Sequence, residues 1–447
     1  MPDASELTAR MLLQLAVVTA VCLVAGRLLR RVGLPQVVAD MAAGFLLGPA
    51  LLGLVLPSVQ GELFPVSLDV GQERVPHPSL LVLQMIGQLG LVVCMFLMGL
   101  RLDRRGLAGN LSGSALTSVS GLVVPLLLGG WLGWTLAADT RFFPDGTDPV
   151  VAALLCGAAM SVTAFPVLAR MVHELGLAGR TTGTVALSAA AVTDAAAWVL
   201  LAAVPVGRES TPSAALAVLA AVLGYTLLVL GPGRLLLSRL AQYAFDGTSP
   251  RGWVLPGTIV LLMSGAFAAE ELGVHAVFGA FVLGVAMPRG PLADALLTRC
   301  EPLVAHLLLP VFFVYAGLNL RPEVFRAGVG AGLLALVLLV AFASKFGSCT
   351  LALRLSGFPW REAASVGVLM NARGLMELVL LDTALRHGLI TPGLYTVFAA
   401  MALISTVAAP PLALLLRTRG GPAASGTATP APAGRLAPTR TEGSTPW

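Results

Sequence analysis

Apolar residues run along this chain in blocks of roughly twenty, separated by short stretches that hold most of the charges. Within the blocks, polar positions follow neither the alternation of a half-buried strand nor the stripe of a surface helix. The pattern therefore predicts helices that are apolar on all sides. Helices of this kind cross bilayers, where about 20 residues suffice. Spans are expected near residues 9–26, 36–55, 79–100, 114–137, 149–173, 181–203, 212–231, 252–271, 274–288, 300–318, 328–353, 361–387 and 391–416. Residues 232–251, interrupted by Arg234, Arg239 and Asp246, read as an interfacial connection. The fold class that follows is an all-α polytopic membrane protein with about 13 transmembrane helices.

Composition agrees, since 57% of the 447 residues are hydrophobic and 11% charged, against about 25% charged in soluble domains. The net charge of +5 comes without a basic run or an aromatic-interleaved patch, so nucleic acid is not an expected partner. Topology explains it better. Loops after odd-numbered spans, with the C-terminal tail, hold nineteen arginines against seven on the opposite side, among them Arg27, Arg30 and Arg31. The opposite loops carry acids such as Glu62, Asp69, Asp139 and Asp145. The positive-inside rule then puts the C-terminus in the cytoplasm and the N-terminus outside, in the cell membrane. The first apolar segment lacks a clear cleavage site and is expected to stay as a span. Residues 419–447, rich in Gly, Ala, Pro and Thr, are expected to form a disordered cytoplasmic tail with no GxGxxG and no cofactor site. The five cysteines are scattered singly and read as small core residues rather than metal ligands.

An ionisable residue at bilayer depth costs about 2.5–3.5 kcal/mol, which makes each one a functional candidate. The candidates are Asp40, Asp194, Lys345, Arg373, Glu377 and Asp382, while Glu270 and Glu271 sit at a span end. Asp194 falls near the middle of 181–203, a span with no other charge, beside Thr193. An apolar residue would pack there without the desolvation cost. A buried carboxylate is best neutralised by a proton or a small cation, which cannot occupy it together. Lys345 is the only lysine among 28 basic residues. Arginine stays charged, whereas a buried lysine can give up its proton, so one lysine in mid-span points to an ion-pairing or functional role.

Two spans carry helix-breaking signals. In SVTAFPVLAR (161–170), Pro166 removes a backbone donor and disfavours helix at Phe165, while Ser161 and Thr163 offer hydroxyls. In LMNARGLMEL (369–378), Asn371, Arg373 and Gly374 interrupt an apolar helix. Unwound backbone at membrane depth is tolerated only beside protein or a wet cavity. Broken helices in corresponding places of two halves mark an ion site at the midplane.

These stretches, with ADMAAGFLLGP (39–49), TDAAAW (193–198), HAVFGAFVLG (275–284) and FFVYAGL (312–318), resemble the monovalent cation:proton antiporter-2 family, which includes Kef-type and plant cation/proton exchangers. The resemblance covers about residues 10–415 and implies an inverted-repeat antiporter fold with two crossed discontinuous helices. It also implies a moving core, assigned here to 79–203 and 300–416, and dimerisation helices at 9–55 and 212–288 within one domain, 1–418. By position, Asp194 corresponds to the family's ion-binding aspartate, Thr163 to the polar residue of the first broken helix and Lys345 to the basic residue at the crossing. Asn371 and Arg373 fall in the second broken helix, and Asp40 where relatives often carry an acid. Strongly electrogenic members have two adjacent aspartates, and here the first is Thr193. That leaves Lys345 with two candidate partners, Asp194 or a carbonyl at the crossing.

The expected activity is exchange of K⁺ or Na⁺ for H⁺ by competition at Asp194, without net charge movement. Hydroxyls of Thr193, Thr163 and Ser161 would complete an oxygen shell of the kind hard cations require. The alternatives are a cation channel, which would need a filter run such as TVGYG, and an organic-ion exporter, which would need a more aromatic cavity. An enzyme is not expected, because the chain has neither HExxH nor GxSxG. A homodimer in the bilayer is the expected assembly.

Overall fold

The structure is a computed structural model, and it describes residues 4–65, 67–70, 73–101, 111–203, 212–246, 249–326 and 328–416. The expected tail, 419–447, lies outside the described residues. Helix occurs in each of the thirteen expected segments. In chain order they are α1 (Ala4–Arg30), α2 (Gln36–Leu47), α3 (Pro78–Arg101), α4 (Leu111–Leu136), α5 (Pro149–Ser161), α6 (Phe165–Glu174), α7 (Thr181–Ala203), α8 (Pro212–Leu228), α9 (Val254–Glu271), α10 (Ala276–Ala286), α11 (Pro291–Leu303), α12 (Leu309–Leu318), α13 (Val329–Leu355), α14 (Trp360–Leu369), α15 (Leu375–Arg386) and α16 (Pro392–Leu416). Ten segments among the described residues are long and apolar enough to cross a membrane. That supports the polytopic class without establishing the count of 13; the 11-residue α10, for one, is too short to qualify. Two short antiparallel ribbons, Ser67–Val70 with Glu73–Pro76 and Phe245–Asp246 with Ser249–Pro250, are the β structure among the described residues.

One expectation changes here. Residues 232–251 are not simply an interfacial connection, because α8 continues through a π turn at Val229–Gly233 into a helix over Arg234–Gln242. The apolar window accordingly lies at Ala220–Arg239. Arg234 and Arg239 do not end the helix, because a long side chain can carry its charge to the interface while its stem stays on apolar surface.

The helices pack in two groups. In one, α4, α5, α7, α13, α14 and α16 lie against one another; in the other, α1, α2, α3, α9, α10 and α12 do. The long α8 segment touches both, through α7 and α10. The sequence grouping put 79–100 and 300–318 with the core, whereas α3 and α12 pack with the helices assigned to dimerisation. Small residues explain this, since they let backbones meet where lipid offers no hydrophobic drive between helices. A Cβ on Gly284 of α10 would lie 2.1 Å from the carbonyl oxygen of Phe96 in α3. That seam admits only glycine.

Candidate ion-binding site

The first broken helix starts with a strong cap. Asp148 accepts from the Val150 N–H at 2.8 Å and Pro149 takes the first helical position. The helix stops at Ser161, Val162 and Ala164 are extended, and α6 begins at Phe165. The break thus precedes Phe165, and Pro166 stands inside the first turn of α6, where its missing N–H costs no hydrogen bond. The second break follows Leu369. It ends at Gly374, whose φ of 154° and ψ of −116° suit only glycine, and where a Cβ would sit 3.1 Å from Val167 Cγ2. The two breaks touch: the Ala164 N–H donates to the Ala372 carbonyl at 3.0 Å, and the Thr163 hydroxyl to the Met370 carbonyl at 3.2 Å. They belong to the fifth and twelfth segments.

Breaking a helix in mid-membrane exposes two partial charges, carbonyls at the end of α5 and N–H groups at the start of α6. The charged side chains answer both. At the α5 end, Arg373 donates to the carbonyls of Ala159 and Met160, each at 2.8 Å, and Lys345 donates to that of Ser161. At the α6 end, the Asp194 carboxylate accepts from the Phe165 N–H. Lys345 therefore takes the carbonyl rather than Asp194 as its hydrogen-bond partner. Asp194 is 2% exposed, and its Oδ1 has no hydrogen-bond donor.

The remaining expected residues bond to groups around this crossing, with one exception. Glu377 pairs with Arg373 at 3.4 Å, both fully buried, and its Oε1 is unpartnered. Asn371 donates to the Gly367 carbonyl and keeps an unpartnered Oδ1. The hydroxyls of Thr193 and Ser161 donate to Ala190 and Ala158 at 3.0 Å, which leaves their lone pairs able to ligate a cation. Asp40 is the exception in its partners. It lies on α2, whose next residue, Met41, approaches Gly374, but it accepts from Gln36 Nε2 at 2.8 Å and bonds the Cys22 thiol rather than a group of the broken helices. The sequence reading missed Thr406 of α16, which accepts from the Arg373 N–H and donates to the Arg373 carbonyl, both at 2.9 Å. It braces the unwound backbone, and a threonine in an apolar run gives no signal of that task.

A cavity of about 1000 Å³ opens on the arginine-rich side, with Arg101, Glu174 and Glu301 at its rim. It runs down to Phe165, Pro166 and Ala191, the residue one turn before Asp194. On the opposite side the two helix groups are bonded together. The Tyr395 hydroxyl of α16 donates to the Ala316 carbonyl of α12 at 2.9 Å, and the Arg321 N–H to the Thr396 hydroxyl at 2.8 Å.

Two broken helices that meet beside a buried acid, near the foot of a cavity, are the arrangement of a secondary transporter. The chain belongs to the sodium/hydrogen exchanger family, whose transmembrane domain it matches over residues 16–414. It is 33% identical to the Na(+)/H(+) antiporter NhaS4 of Synechocystis, over 87% of this chain and 92% of that protein. With Cation/H(+) antiporter 19 of Arabidopsis thaliana it shares 32% identity over 86% of this chain, and with K(+)/H(+) antiporter 1 of Saccharomyces cerevisiae 29% over 86%. It spans about half the length of those two relatives, 46% and 43%. The solved structure of the sodium proton antiporter MjNhaP1 from Methanocaldococcus jannaschii shares the fold, with a TM-score of 0.59 over 92% of this chain and 96% of that one at 15% identity.

Proposed function

We propose that the protein exchanges a monovalent cation, K⁺ or Na⁺, for H⁺ across the cytoplasmic membrane, and that the two ions compete for Asp194. The observation that carries the reading is the Asp194 carboxylate itself: buried, with one oxygen unpartnered, and one turn beyond the foot of a cavity. Its nearest cationic neighbours are held elsewhere, on the carbonyls of α5. An empty Asp194 thus bears a charge that is costly to carry across an apolar barrier, and loading with either ion removes that cost. Movement is permitted when loaded and disfavoured when empty, which is the condition for exchange. Thr193, Thr163 and Ser161 add oxygens to the cation's shell.

By the positive-inside rule, the arginine-rich side is the cytoplasm, so the cavity faces inward and the Tyr395–Ala316 seam closes the outer side. The helices 4–55, 78–101 and 254–318 form the scaffold of a homodimer, and 111–203 with 329–416 form the mobile core. A channel would need a path open from both sides, and the three relatives described above are antiporters.

The test is Asp194→Asn in proteoliposomes carrying a pH-reporting dye. Exchange should vanish for every alkali cation while the variant still inserts and purifies as a dimer. Cation-dependent proton flux surviving in that variant would refute the assignment.

A further inference from the structure

A buried donor and a buried acceptor stand one turn apart on α7, and neither is bonded. The acceptor is Asp194 Oδ1 and the donor is the indole N–H of Trp198. Both residues are 2% exposed. Gln60 Nε2, Arg373 Nε and Trp198 Nε1 are buried nitrogens without a partner among the described residues, and only the last shares a helix with Asp194. Four residues turn a helix by about 400°, so the two side chains point within about 40° of each other, with Cβ atoms about 6 Å apart. A helical side chain leans toward the N-terminus, which carries the indole back over the turn that bears Asp194. The cavity follows α7 along Thr184, Ser188 and Ala191, and Trp198 stands on the far side of Asp194 from it. Its ring rests against Phe278 of α10, with 6.0 Å between centroids.

A buried indole N–H ordinarily finds a partner, and an ionised buried carboxylate is stabilised by two or three donors. Without its ion, Asp194 has the Phe165 N–H. The cationic groups about it are engaged elsewhere: Lys345 donates to the Ser161 carbonyl, and Arg373 to those of Ala159 and Met160. Glu377, paired with Arg373, is itself an acid. With no further donor, the departing ion would leave a carboxylate so poorly solvated that release would be slow. A cationic donor would solve that but would neutralise the empty core and let it move unloaded. An indole N–H donates without adding charge.

We propose that the indole N–H of Trp198 is an exchangeable partner of Asp194, donating to Oδ1 when the carboxylate is empty and displaced when a proton or an alkali cation takes that oxygen. The proposal rests on the exchange reading above and adds a neutral competitor to the two ions. In this structure the indole stands off Oδ1 and rests on Phe278; a rotation of the ring closes the pair.

The test compares the half-saturating cation concentration of exchange in the wild type and in Trp198→Phe, which keeps a ring on Phe278 but has no N–H. Losing the competitor destabilises the empty carboxylate, so each ion should bind about tenfold more tightly, as for a hydrogen bond to a charged group. At alkaline pH, where protons do not compete, the half-saturating concentration of Na⁺ or K⁺ should therefore fall about tenfold. At acid pH it should match the wild type, because the tighter proton offsets the tighter cation. A packing defect produces neither the gain nor its disappearance in acid. A second measurement follows indole N–H bonding by ultraviolet resonance Raman in the purified protein at alkaline pH. Adding Na⁺ or K⁺ should free one indole N–H in the wild type and none in Asp194→Asn, which decides the matter if Trp198→Phe does not fold. An unchanged or raised alkaline half-saturation in Trp198→Phe, a shift equal at both pH values, or no cation-dependent indole change in the wild type would overturn the proposal. Absence of exchange in the wild type would instead sink the exchange reading, so the two failures are distinct.

Discussion

The ammonium of Lys345 is held at the C-terminal end of α5, where it completes the hydrogen bonding of the Ser161 carbonyl. Two roles can be separated there: a proton carrier in the cycle, or a fixed cap on a broken helix. The geometry supports the cap, because Arg373 performs the same task on the two preceding carbonyls. Lys345→Met would leave a buried carbonyl unsatisfied, at a cost of about 1–3 kcal/mol. It should therefore lower the unfolding temperature in detergent while exchange persists. Lys345→Gln keeps an N–H donor and should recover part of that loss. An unchanged unfolding temperature with abolished exchange in Lys345→Met would identify the lysine as an exchanging group instead.

Among the elements, α10 has a start tied to pH. Its cap is His275, which accepts from the Val277 N–H through Nδ1 at 3.3 Å and so must be neutral at that nitrogen. A protonated imidazole cannot accept at Nδ1, so acid removes the cap once pH falls below the range in which a histidine ordinarily takes up its proton, about pH 6.5. Thermal unfolding between pH 8 and pH 5 should show the loss, and His275→Asn, a good cap that does not titrate, should remove it. An equal acid loss in His275→Asn would rule out the cap as its source. The sequence places His275 at the end of an apolar run but cannot show its capping bond, which depends on the turn after α9. Likewise, Asp194, Lys345 and the two breaks stand out as polar residues in apolar runs, whereas the partner of Lys345 is a carbonyl in another segment. The packing of α3 and α12 was hidden for a similar reason. It rests on glycine faces such as Gly284 against Phe96, which hydropathy does not register. The continuation of α8 was missed because two arginines lower the local hydropathy without breaking a helix.

At the scale of the whole molecule, the charge carried through each half-cycle follows from which groups are free to change partners. Arg373 is bound to α5 carbonyls and to Glu377, and Lys345 to Ser161, so the crossing offers one carboxylate, Asp194, for exchange. On the exchange proposed above, the core would carry the same charge in both directions, loaded with a proton or with an alkali cation, and the membrane potential would do no net work on the cycle. Had Lys345 also released a proton in each turn, one net charge would cross, worth about 2.3 kcal/mol per 100 mV. That would shift the equilibrium cation gradient about fifty-fold. Reversal measurements in proteoliposomes at a fixed pH gradient, with the potential clamped at zero and then at 100 mV, separate the two cases. The balance point should stay in place for the wild type, and a displacement approaching fifty-fold would show that a second proton-carrying group works beside Asp194.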